Sequence, residues 1–267
     1  MKKIILTVAG ALILASCATN PVTGRRSLSL VSNADLFPTA FSQYTKVLSE
    51  GKVITGTNDA KMVQTVGQRL EYAANEYYKQ KGISSQLQGY QWQFTLLNAN
   101  EVNAWCMPGG KVAVYSGILP VTKDATGLAV VLGHEIGHAL AGHSAEQASQ
   151  QVAAQGLGQI VGGSLSKSSY AGIFEKLYPA VGQGVLLNYS RKMELDADVT
   201  GLYLMAMAGY DPSQAIPFWE RMSEKSGNSN VSEFLSTHPS DATRIAQIRE
   251  ALPTALAYYK ASPYKGK

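Results

Sequence analysis

The chain carries little charge: Asp, Glu, Lys and Arg make up 16% of its 267 residues, against about 25% in an average globular protein. Together with 45% hydrophobic residues, this excludes a disordered chain, which is poor in apolar side chains and rich in charge. Cysteine is equally scarce. Cys17 and Cys106 are the two that occur, in unlike settings, so no internal disulfide framework is expected. The apolar run Ile4–Leu14 has about a dozen residues where about 20 are needed to span a bilayer as a helix. A strong basic excess is also missing, since the net charge of +4 falls to +2 once Lys2 and Lys3 are counted with a removable leader. No nucleic-acid footprint follows. The length suits one domain or at most two, and neither an internal repeat nor a linker divides it.

What is present begins with the leader. Lys2 and Lys3, the apolar stretch and Ala15-Ser16-Cys17 form the basic region, hydrophobic region and small-residue exit of a secretory signal. Leu14-Ala15-Ser16-Cys17 resembles the bacterial lipobox, in which cleavage before the cysteine leaves it as the lipid-bearing N-terminus. A plain signal peptide with an incidental cysteine is the alternative. Ala18, standing where aspartate marks inner-membrane retention, points by the same resemblance to the periplasmic face of the outer membrane. Several acyl chains on one cysteine make such an anchor stable. Residues 1–16 therefore read as the signal, 17–49 as a lipid-anchored tether and N-terminal arm with weak periodicity, and 50–267 as the working domain.

Within that domain, Met62, Val63, Val66, Leu70, Ala73, Ala74 and Tyr77 fall on one helical face between Asn58 and Gln80. Trp92, Phe94 and Leu96 alternate with Gln91, Gln93 and Thr95, the pattern of a half-buried strand, and a second strand over Val112–Tyr115 follows the turn signal Pro108-Gly109-Gly110. Helical pattern returns from Asp124 to Gly142 and again from about Arg191 to Ala208, where Gly209 stops it. Asp211-Pro212 then opens a further helix with a cap residue and a proline. Seven glycines between 156 and 184 predict the least rigid stretch, either a lid or loosely packed short helices. The expected fold is α+β and mostly helical, with a small sheet inserted before the helix that carries the chemistry.

That chemistry lies in His134-Glu135-Ile136-Gly137-His138, an H-E-x-x-H motif in apolar helical sequence. Residues four apart stand about one turn apart on the same helix face, so both imidazoles can bind one cation while Glu135 reaches a water on it. The same spacing fits two buried histidines satisfied by hydrogen bonds. Glu194 and Asp198, also four apart, lie on a helix otherwise heading into the core, where carboxylates are costly without cations or donors. Glu194 as third ligand and Asp198 as the group orienting a ligand histidine satisfy both. A solvated acidic face beside Arg191 and Lys192 is the alternative. His143, five residues past His138, is placed at a helix C-terminus, where a cation is favoured. Cys106 is expected to be a buried thiol with no catalytic part.

These motifs together, His134-Glu135-Ile136-Gly137-His138 with Glu194-Leu195-Asp196-Ala197-Asp198, resemble the HtpX/CAAX-prenyl-protease family of gluzincin metallopeptidases. The lipobox and the lack of spanning helices place the chain nearest the family's soluble lipoprotein branch. The resemblance runs from about Asn98 to Arg249 and implies a zincin-like domain with one Zn²⁺. Asn103-Ala104, ahead of Pro108-Gly109-Gly110 and Tyr115-Ser116-Gly117, resembles the family's substrate-side edge strand; Trp105-Cys106-Met107 departs from the usual apolar residue before the proline. His238-Pro239-Ser240 with Arg244 resembles its C-terminal His-Pro motif, whose histidine lies near the metal and either assists the transition state or caps zinc at rest.

The expected mechanism follows from the donors. Two neutral imidazoles and one carboxylate leave zinc an open position, and a water there approaches a pKa near ~7. Glu135 is the general base, and zinc with His238 stabilises the oxyanion. An extended peptide adding to the sheet edge near Asn103 would bind through its main chain whatever its sequence. This implies a zinc metalloendopeptidase acting on unfolded or misassembled cell-envelope proteins, with the outer-membrane assembly machinery as a possible associate. Iron oxygenases share the ligand types but do not arrange them as H-E-x-x-H. The serious alternative is a metal-binding lipoprotein acting as a chaperone or assembly factor, against which the intact Glu135 argues.

Overall fold

The computed structural model describes residues 17–154, 189–224, 231, 234–236, 238 and 242–267. The expected leader, residues 1–16, the glycine-rich stretch 156–184, Pro239 and Ser240 lie outside these residues. The chain opens with an antiparallel pair, β1 (Cys17–Thr19) and β2 (Arg26–Leu28), followed by helix α1 (Phe37–Glu50) and a short strand β3 (Val53–Ile54). Helix α2 (Asn58–Gln80), capped by the Thr57 hydroxyl at 3.1 Å from the Ala60 amide, has the boundaries its apolar face predicts. Strands β4 (Gln93–Leu97), β5 (Ala104–Met107) and β6 (Lys111–Tyr115) complete a four-stranded mixed sheet of order β3-β4-β6-β5. β4 runs parallel to β6, and β5 forms its antiparallel edge. The β5–β6 turn works because Gly109 and Gly110 take φ of +83° and +84°, a region that only glycine enters without strain.

After the sheet comes α3 (Ala125–Leu140), whose Asp124 side chain accepts from the Gly127 amide at 2.9 Å. α4 (His143–Ala154), α5 (Arg191–Met207), α6 (Ala215–Glu224) and α7 (Ala242–Ala261) follow. Gly209 ends α5 at φ +86°, and Asp211 caps a 3₁₀ turn, Pro212–Gln214, that leads into α6. The fold is thus mostly helical with a small sheet ahead of the motif helix. Among the described residues, no helix is long and apolar enough to cross a membrane.

The arm expected to pack on the domain is in part a helix, and one expectation, a half-buried β4, changes. The weakly periodic arm contains α1, whose Ala40, Tyr44 and Val47 at helical spacing are buried against the sheet face bearing Leu97, Trp105, Met107, Ala113 and Tyr115. Phe94, Leu96, Cys106, Val112 and Val114 face α2 and α3 on the other side. The sheet is therefore covered on both faces, and β4 is not a half-buried strand. Thr95, on its polar side, is buried and lies 2.7 Å from the Tyr44 hydroxyl, which also donates to the Val112 carbonyl at 2.9 Å. A hydroxyl that finds a partner can sit beneath a helix as readily as in water.

α3 and α5 cross with almost no side chain between them. A Cβ on Gly201 would come within 2.6 Å of the Gly133 carbonyl carbon and the His134 amide, and one on Gly137 within 2.8 Å of the Ala197 carbonyl. This close crossing brings the motif of one helix against the carboxylates of the other.

Candidate metal centre

His134, Glu135 and His138 on α3 and Glu194 on α5 are all buried. The two Nε2 atoms of the histidines lie 3.0 Å apart. Glu194 straddles them, Oε2 being 3.3 Å from His134 and Oε1 3.3 Å from His138. His238, reached through the C-terminal part of the chain, places Nδ1 3.1 Å from His134 Nε2 and 3.2 Å from Glu194 Oε1. The ligand atoms of these four residues all lie within 4.8 Å of one another.

This donor set fits a small divalent cation. A tetrahedron with bonds of about 2.0–2.1 Å, as zinc forms with imidazole and carboxylate, has edges of about 3.3 Å, close to the spacings above. Glu135 Oε1 is buried, and no hydrogen-bond partner reaches it among the described residues. His238 Nε2 lies 3.5 Å from it. A carboxylate oxygen so placed is where a reacting water finds its acceptor.

The electrostatics agree. Burial raises the Glu135 pKa against the opposing pull of His238 and His134, the direction useful to a general base working near neutrality. Burial, helped by His134 and His143, holds His138 well below the usual imidazole range against Glu194, leaving it neutral as a ligand must be. Burial also opposes a charge on His134, but Glu194 and Asp198 outweigh it and raise the pKa to about 9. A cation entering the site must displace that proton, so its affinity rises with pH. Glu194 is held well below the usual carboxylate range, since His238, His138 and His134 overcome its desolvation.

Asp198 stands behind His134, accepting from Nδ1 at 2.9 Å. Arg244 donates to both Asp198 oxygens at 2.6 Å and to the His238 carbonyl at 3.2 Å. Its guanidinium lies 3.9 Å above the Trp219 ring. One buried arginine thus holds a histidine's orienting carboxylate and the backbone of the C-terminal histidine together. Asn103 and Ala104 lie at the start of edge strand β5, both buried, with the Tyr115 amide donating to the Asn103 carbonyl at 3.0 Å. Cys106 is buried in the same strand, and burial, with the Glu135 charge, pushes its thiol well above the ordinary value, away from nucleophilic use.

His143 requires a correction. It does not sit at a helix C-terminus as a cation. Gly142, at φ +65°, ends the motif helix and turns the chain so that His143 begins α4, fully buried, with Nδ1 2.8 Å from His138 Nδ1. Burial lowers its pKa, which opposes a charged form. The signal in the sequence was the glycine directly before it. Tyr189, also missed, stacks on the His138 ring at 3.9 Å and 18°.

Comparison with known proteins agrees with this geometry. The model of Peptidase family M48 matches residues 64–252. The chain is 41% identical over 166 residues to the mitochondrial metalloendopeptidase OMA1 of Schizosaccharomyces pombe, covering 62% of this chain and 48% of that protein. With human OMA1 it shares 29% over 246 residues, covering 89% of this chain and 46% of the relative. With the metalloprotease LoiP of Escherichia coli it shares 27% over 254 residues, covering 91% of this chain and 96% of LoiP. The chain thus spans about half the length of these mitochondrial relatives and nearly all of the bacterial one.

Proposed function

The chain belongs to peptidase family M48, and on that premise we propose that it is a zinc-dependent endopeptidase. The observation that carries this reading is the convergence of His134, His138 and Glu194 on one point beside the buried Glu135. His134, His138 and Glu194 would hold a zinc ion, which would supply Lewis acidity at the scissile carbonyl and acidify water. Glu135 takes the proton of the attacking water and returns it to the leaving amine nitrogen. Asp198, gripped by Arg244, keeps the Nδ1 proton of His134 in place so that Nε2 faces the metal. His238, with Nδ1 3.2 Å from Glu194 and 3.1 Å from His134, would fill the fourth position at rest.

Extended polypeptide is the proposed substrate class, aligned along β5 from Asn103 and Ala104 through main-chain hydrogen bonds. The lipobox ending at Cys17 supports a lipid-anchored protein on the periplasmic side of the outer membrane. There the substrates would be unfolded or misassembled envelope proteins.

The test is hydrolysis of casein by the purified protein, with and without a chelator, beside Glu135→Gln. The exchange keeps size and ligands but removes the base, so zinc stays bound while hydrolysis falls by at least ~10²–10⁴. Zinc bound without any cleavage by the unaltered protein would favour the chaperone reading, and activity surviving in Glu135→Gln would move the base elsewhere.

A further inference from the structure

The two ligand histidines are backed in parallel ways. His134 has the Asp198–Arg244 pair directly behind its Nδ1. Behind His138 stands His143, at 2.8 Å between the two Nδ1 atoms. The Nε2 of His143 faces Asp196 Oδ2 at 3.6 Å, beyond hydrogen-bond distance. Asp196 in turn accepts from Arg25 Nε at 2.6 Å, while the same guanidinium grips Glu146 of α4 with two bonds of 2.9 and 2.6 Å.

We infer that His143, Asp196 and Arg25 form a positioning relay that orients His138 and ties the metal centre to the N-terminal hairpin. The direction of the protons is consistent along its length. With His138 Nε2 turned toward Glu194, its Nδ1 carries the hydrogen and donates to His143 Nδ1. With its Nδ1 accepting that hydrogen, His143 keeps its own on Nε2, which faces the Asp196 carboxylate held by Arg25. Such backing fixes tautomer and ring orientation and makes the ligand nitrogen a better donor. One helix does both jobs. On α5, Asp198 lies four residues from Glu194 on the same face, and Asp196, two residues on, faces the opposite way, toward α4 and the hairpin.

The hairpin is held on the motif helix as well. Asn20 donates from Nδ2 to the Ala141 carbonyl at 2.6 Å, just ahead of the Gly142 turn that delivers His143. Its own turn closes through the Asn20 amide to the Arg25 carbonyl at 2.8 Å. Residues only a few positions after Cys17 therefore support a metal ligand. None of the three relay residues touches the reacting atoms, so theirs is a positioning role.

The inference rests on the proposed metal centre, and the experiment separates the two. Zinc affinity is measured by chelator competition for the unaltered full chain, His138→Ala, His143→Ala, His143→Gln and Arg25→Ala, with the melting temperature of each metal-free protein recorded alongside. The expected result is a loss of about 10–100-fold in His143→Ala, a smaller loss in Arg25→Ala, and recovery of most of the affinity in His143→Gln, whose amide both accepts and donates. Cobalt-substituted His143→Ala should show an altered visible spectrum. Unaltered affinity in His143→Ala and Arg25→Ala overturns the relay. So do losses that are equal in His143→Ala and His143→Gln and follow the melting temperature. If His143→Ala does not fold, Arg25→Ala and His143→Gln decide by the same criteria. A chain that binds no zinc, or binds it undiminished in His138→Ala, refutes the metal centre itself.

Discussion

The imidazole of His238 turns its two nitrogens toward different carboxylates, Nδ1 lying 3.2 Å from Glu194 and Nε2 3.5 Å from Glu135, the latter too far for a hydrogen bond. An imidazole that fills the fourth position keeps substrate and water from it. Replacing it with alanine should retain zinc and raise kcat. The rival role, hydrogen-bond donor to the oxyanion, makes the opposite forecast: zinc retained and kcat lowered by up to ~10²–10³. A single kinetic comparison of His238→Ala with the unaltered protein, with metal content measured in both, separates the two. Activity equal to that of the unaltered protein would reject both.

Among the elements, the pair α3 and α5 decides the geometry of the site. Gly133 and Gly137 on one and Ala197 and Gly201 on the other let the backbones approach closely, and the carboxylates of α5 reach the histidines only because of it. The neighbours of a new Cβ at position 201 are backbone atoms at 2.6 Å, which cannot rotate aside. Gly201→Ala should therefore push the helices apart, costing about 1–3 kcal/mol in urea unfolding. It should also weaken zinc binding, because Glu194 and Asp198 move with α5. An unchanged unfolding midpoint would mean that the crossing is slack.

For the whole molecule, the proposed anchor and the metal centre lie at two ends of one short path. The segment following Cys17 pairs as β1–β2, covers the C-terminal end of α3 through Asn20 and reaches α4 and α5 through Arg25. Cys17→Ser is expected to shift the protein from outer-membrane fractions to the soluble periplasm or to leave its leader uncleaved. Unchanged processing and membrane partitioning in fractionated cells would remove the lipidation proposal.

The amino-acid sequence by itself determined the parts that depend on local spacing. An i, i+4 pair of histidines with an internal glutamate shares a helix face wherever that helix lies. Glu194 and Asp198 share theirs by the same rule, and the bounds of α2, α3 and α5 follow from apolar periodicity with Thr57, Asp124 and Ser190 as caps. The covering of the sheet's second face was not legible. The apolar positions of α1, Phe37, Ala40, Phe41, Tyr44, Val47 and Leu48, do fall at helical spacing, but nothing local says that this helix lies on the sheet, and Thr95 is polar yet buried. The charge preference of helix ends places His143 at a C-terminus, whereas the turn at Gly142 has already begun a new helix there. The backing of His138 by residues 25, 143 and 196 crosses most of the chain, and no periodicity encodes which charged side chains meet after α3 and α5 close on one another. That meeting was decided by tertiary structure, through the steric accident that glycine at 133 and 201 leaves no side chain to hold the helices apart.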